Sequence, residues 1–144
     1  MKNLNIMSIG LRPVEIKQLR RANELETGSP SNLRTFTSSL MAVAFLRATA
    51  QPHDLIVIDS DLPMVSIRTA VSDLRKLDIS RGVPVAVIGG GGTEPQTVSA
   101  AKIDYFLPRP ADLHDLRLLI RRISARLLNA RRGRRTLSFA GSGT

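Results

Sequence analysis

The stretch His53 to Pro63, HDLIVIDSDLP, limits the fold more than any other part of this chain. Its apolar run, Leu55 to Ile58, leaves no polar face, and a strand of that kind is buried on both sides in a parallel sheet. The run stops on a carboxylate, Asp59. Asp61 follows two residues later, and Pro63 closes the turn before a helical pattern resumes. In an open parallel sheet, ligands and chemistry gather outside the carboxyl ends of the strands. Asp59 is therefore the first candidate site residue, and the competing reading is a solvated turn carboxylate that ends the strand.

The rest of the chain repeats the same unit. Residues 3–9 read as a strand and are followed by a turn at Gly10 to Arg12. Pro13 then stands at a first helical position, where its missing N–H has no consequence, and the helix runs to about Leu25. After the loop ETGSPSN come a short strand, Leu33 to Thr37, and the helix LMAVAFLRATA, which Ser38 or Ser39 can cap. The strand Leu55 to Asp59 leads into an amphipathic helix with Ile67, Ala70, Val71, Leu74 and Leu77 on its apolar face. Pro84 to Ile88 is a fourth strand, Thr93 to Lys102 a short helix, and Ile103 to Leu107 a fifth strand. Pro108, Arg109 and Pro110 form a stiff turn. Asp112, with Asp115 three residues on, caps a last helix whose buried face is Leu113, Leu116, Leu119, Ile120, Ile123 and Leu127. Strict alternation of strand and helix implies an α/β fold, a five-stranded parallel sheet with helices on both faces and right-handed crossovers.

A chain of 144 residues matches one domain. The folded part spans residues 1–128, and 129–144 read as a basic, mobile tail or the start of a linker to a following domain. The net charge is +9, and the segment Arg109 to Arg135 alone carries nine basic and two acidic residues, so the excess is concentrated near the C-terminus. Such a segment can attract nucleic acid, an anionic membrane or an acidic partner. Cysteine is absent, which excludes disulfide and thiol chemistry. No apolar run reaches the roughly 18 to 20 residues of a membrane span, no signal peptide is visible, and a cytoplasmic location is expected. His53 and His114 are isolated and do not form a metal-ligand pattern. The glycines 89–92 lack the Lys-Ser or Lys-Thr ending of a phosphate loop and read as a flexible loop. Ser8 has no visible His and Asp partners, and no enzyme site can be assembled.

The apolar strand ending in Asp59, Pro63 four residues later, and the segment DYFLPRPADLHDLRLLIRRI together resemble the receiver (CheY-like) domain of two-component response regulators, over residues 3 to about 128. The resemblance implies the flavodoxin-like (βα)5 fold, Asp59 at the phospho-acceptor position and Asp61 at a position that supplies a metal ligand through its backbone carbonyl. It also implies Arg109 in place of a lysine that pairs with phosphate or with the acceptor Asp, and Phe106 at the aromatic switch position. The fourth helix, fifth strand and fifth helix form the contact face most used in that family, which marks Phe106, Arg117 and Arg121. Two family features are missing. No carboxylate stands near Ser8 to Arg12, where two hold Mg2+ in receivers, and Gly89 replaces a hydroxyl residue.

Mg2+ requires oxygen ligands, usually with one or two carboxylates, so Asp59 and Asp61 would bind it weakly or not at all, and no cofactor is expected. A static Asp59–Arg109 pair in place of the metal is the expected arrangement. The resulting reading is an atypical receiver that acts through a protein partner, such as a sensor kinase or an output protein, or through a second copy of itself. The alternative is a regulator that binds nucleic acid through its Arg-rich C-terminal segment. The end of the chain, RRTLSFAGSGT, reads as a strand entering a turn and is similar to the start of the nucleotide-binding domain of tight-adherence pilus-assembly ATPases, which carry an atypical receiver in front.

Overall fold

The computed structural model describes residues 4–60, 64–89 and 103–142. Five parallel strands, β1 (Asn5–Ile9), β2 (Asn32–Phe36), β3 (Leu55–Asp59), β4 (Val85–Gly89) and β5 (Tyr105–Pro108), form one sheet in the order β2-β1-β3-β4-β5. The described helices are α1 (Pro13–Thr27), α2 (Ser39–Thr49), α3 (Met64–Lys76) and α4 (Leu113–Ser142). The sequence-predicted helix from Thr93 to Lys102 lies outside the described residues, as do Asp61, Pro63 and Gly90 to Gly92.

Alternation along the central strands divides the core into two layers. Ile56 and Ile58 of β3, with Val85 and Val87 of β4, face Ala42, Val43 and Leu46 of α2 and Ile67, Val71 and Leu74 of α3. Leu55 and Val57, with Ala86 and Ile88, face Leu19 and Ala22 of α1 and Leu116, Ile120 and Ile123 of α4. Because successive side chains of a strand point to opposite faces, an unbroken apolar run is what two covered faces require. Every residue of β3 and β4 is buried, whereas the edge strands are partly exposed.

Helix starts follow local chemistry. Ser38 accepts a hydrogen bond from Met41 N through its side chain, and Asp112 and Asp115 exchange side-chain and backbone hydrogen bonds at the start of α4. Gly28 ends α1 in the left-handed region at φ 71, which a residue without Cβ enters without strain. The helical departure expected near Leu128 does not occur. Helix α4 continues through Ser142, a run of 30 residues or about 45 Å at 1.5 Å per residue, and RRTLSF is helical rather than a strand. The physical reason is composition, since leucine, alanine and arginine are strong helix formers and only Asn129 and Gly133 oppose them before Thr136.

At the amino ends of β4 and β5, Arg75 of α3 donates to the carbonyls of Arg81 and Val83 and pairs with Asp104 at 3.1 Å. The same Asp104 carboxylate oxygen accepts from Val85 N at 2.8 Å. This network ties the α3–β4 connection to the start of β5. It lies at the sheet end opposite Asp59.

Candidate functional site: a guanidinium between two buried carboxylates

Three segments converge at the carboxyl end of the sheet. Asp59 is the last residue of β3 and is in register with Ile88 of β4. Ser60 N donates to Ile88 O at 2.9 Å, so the chain stays on the sheet for one more residue. Arg109 follows β5 directly, its backbone N–H donates to Gly89 O at 2.7 Å, and the Arg109–Pro110 peptide is cis. The third segment is the start of α1. Gly10, at φ 75, turns the chain immediately after β1, and its N–H donates to Phe36 O at 2.8 Å. Pro13 then opens α1, which places Glu15 in the first helical turn, where an acidic side chain suits the helix dipole.

The side chain of Arg109 joins all three segments. Its Nε donates to Glu15 Oε2 at 2.9 Å and its Nη2 to Glu15 Oε1 at 3.1 Å, a bidentate pairing. The same Nη2 lies 2.7 Å from Asp59 Oδ1. All three side chains are withdrawn from water, with 13% of Arg109, 7% of Glu15 and 5% of Asp59 exposed. At that burial, ion pairs are screened far less than surface pairs. Burial pushes the Glu15 carboxyl up, but hydrogen bonds from Arg109 and from Arg12 N–H, the latter at 3.3 Å, outweigh it and hold the group below the ordinary carboxylate range. Arg109 in turn is held more firmly protonated than a free arginine, first by Glu15, against the opposing effect of burial, and then by Asp59.

Glu15 is the residue that sequence reasoning missed. It lies three residues beyond Arg12, where a glutamate reads as an ordinary first-turn acid. The available signal is its position: the first turn of a helix that starts just beyond a strand end lies near the carboxyl edge of the sheet.

The structure separates the remaining candidates. Phe106 is half-buried on β5 and packs against the α2–α3 layer of the core. With Tyr105, Leu107, Asp115, Leu118 and Arg122 it lines a groove between β5 and α4. Arg117 and Arg121 point the other way, toward α1, where Glu26 accepts from Arg117 Nε at 2.7 Å and from Arg121 Nε at 2.9 Å. These hydrogen bonds, from Arg121 and then Arg117, hold the Glu26 carboxyl below its usual range. Phe106 and the two arginines thus occupy different surfaces.

The implied divalent cation does not fit what the described residues offer. No group of three or more His, Cys, Asp or Glu side chains is gathered there in a metal-binding arrangement. Both carboxylates at the sheet end already accept hydrogen bonds from a guanidinium, which brings positive charge to the place where a cation would act.

No protein-family model matches the chain, and no curated protein does. Solved structures do. The receiver domain of a sensor histidine kinase from Pseudomonas aeruginosa PAO1, solved with magnesium in its active-site cleft, superposes with a TM-score of 0.67 at 20% identity, over 85% of this chain and 99% of that one. A response regulator receiver domain from Clostridium thermocellum gives 0.68 at 18% identity, over 87% and 97%. The receiver domain of AraT, a response regulator from Geobacillus stearothermophilus, gives 0.69 at 13% identity, over 90% and 99%. With its strand order, its two helical layers and these superpositions, the chain has the flavodoxin-like α/β fold of response-regulator receiver domains.

Proposed function

We propose that this chain is an atypical receiver, a signalling or localisation module of the cytoplasm that acts by binding another protein, and that its acceptor position is closed by an ion bridge rather than operated by phosphorylation. One observation carries the reading: Arg109 spans Glu15 and Asp59 inside the protein. Phosphoryl transfer to a carboxylate depends on positioning and on metal charge over the transferred group. Here the carboxylate that would attack is hydrogen-bonded to a cation that a second carboxylate holds in place. Arg109 occupies Asp59 Oδ1, and Glu15 anchors Arg109 there by two hydrogen bonds. The partner is a protein such as a sensor kinase or an output component, and the groove beside Phe106 and Leu118 is the surface we assign to it.

Incubation with acetyl phosphate and MgCl2 followed by intact-mass measurement tests the reading. The wild-type chain stays unmodified. A phosphoryl adduct that disappears in Asp59→Asn would refute it.

A further inference from the structure

Gly89 ends β4 with a strand-like backbone, so no conformational reason requires glycine there. The reason is steric. A Cβ built on Gly89 would fall inside the van der Waals envelope of both Oγ and Cβ of Ser60, with Phe106 Cζ next at 3.5 Å. Ser60 follows Asp59 directly and is held to β4 by its own N–H on Ile88 O. Its side chain therefore stands over Gly89, in the space that a side chain at the end of β4 would occupy. Because Ser60 Cβ is itself too close, rotation about χ1 cannot make room; the backbone after Asp59 would have to move.

We infer that positions 60 and 89 share a single side-chain site, and that the Asp59–Arg109 bridge forms only while that site holds no more than one side chain. The hydroxyl side chain at this end of the sheet comes from the residue after Asp59 instead of from β4. Both neighbours of the shared site belong to the bridge: Asp59 precedes Ser60, and the N–H of Arg109 rests on the carbonyl of Gly89 at 2.7 Å. A side chain forced into position 89 displaces Ser60 and, with it, Asp59 from the guanidinium. This inference deepens the reading of a closed site but needs neither metal nor phosphodonor for its test, so the two can fail separately.

The test uses Gly89→Ala, Ser60→Gly, Ser60→Gly/Gly89→Ala and Ser60→Ala/Gly89→Ala in the full chain, with thermal unfolding and the NMR signal of the Arg109 Nε–H as readouts. Overpacking a filled site lowers the midpoint of Gly89→Ala by about 5 °C or more, and its Arg109 signal shifts and exchanges faster with water. Ser60→Gly/Gly89→Ala regains most of the midpoint and the wild-type signal. Ser60→Ala/Gly89→Ala, which keeps the offending Cβ, regains neither. If Gly89→Ala does not fold, the rescued double variant must. A neutral Gly89→Ala, equal rescue by Ser60→Ala, or a rescued midpoint with an Arg109 signal that never moved would each overturn the inference.

Discussion

Removing the guanidinium from between its two carboxylates is the perturbation with the largest expected effect. Glu15 and Asp59 are 7% and 5% exposed, and Arg109→Ala takes away their shared cation. Breaking a buried pair by deleting one partner leaves an uncompensated charge and costs about 3–5 kcal/mol. For a chain of 144 residues that corresponds to a midpoint lowered by about 10–15 °C. The loss should shrink toward pH 5, because two carboxylates sharing a site raise the pKa of one of them, and its protonation relieves the repulsion. The variant should also acquire a pair of facing acids, Glu15 and Asp59, able to hold Mg2+. At a concentration ten times the dissociation constant, the cation restores about 1.4 kcal/mol, or about 5 °C. Differential scanning fluorimetry across MgCl2, at matched ionic strength, reads both effects. If Arg109→Ala melts within about 2 °C of wild type, or if Mg2+ stabilises the wild-type chain as much as the variant, the bridge is not what holds this end of the sheet.

Stability should fall with acid in two stages. Burial pushes the His53 imidazole down, only partly opposed by its hydrogen bond to Gln51 O. The unfolded chain therefore binds that proton first, and stability declines as pH drops below about 6.5; urea midpoints should show this stage vanish in His53→Gln. Glu15 and Glu26 have depressed pKa values, so their contribution is complete above about pH 4.5 and is lost as pH falls through their folded values. Glu26→Gln should cost about 1 kcal/mol by urea denaturation, less than the Arg109 change, because Arg117 and Arg121 are 37% and 52% exposed and their pairing is screened by water.

Much of this structure was legible because its signals are local. The bounds of β3 follow from an apolar run that ends on a carboxylate, and the cap at Ser38 follows from a hydroxyl ahead of an apolar segment. Alternation of strand and helix then leaves few topologies, and the observed strand order is among them. What the residues could not announce are the pairings between distant parts of the chain. Glu15 and Arg109 lie 94 residues apart, and Arg117 and Glu26 lie 91 apart. Each looks like a solvated surface charge until α1 and α4 are packed on the same face of the sheet. The burial of Glu15 follows from the turn at Gly10, and the constraint on Gly89 follows from Ser60, a residue on the neighbouring segment. The length of helix α4 is not legible for a different reason: its basic residues carry no apolar periodicity, yet arginine favours helix.

The bridge itself can be observed in the unaltered protein by following the Arg109 Nε–H resonance while MgCl2 is added. A guanidinium fixed on Glu15 and Asp59 gives a signal that exchanges slowly with water and neither shifts nor broadens as the cation is raised. A saturating shift of that signal with millimolar Mg2+, as Asp59 passes from the arginine to the metal, would contradict the account.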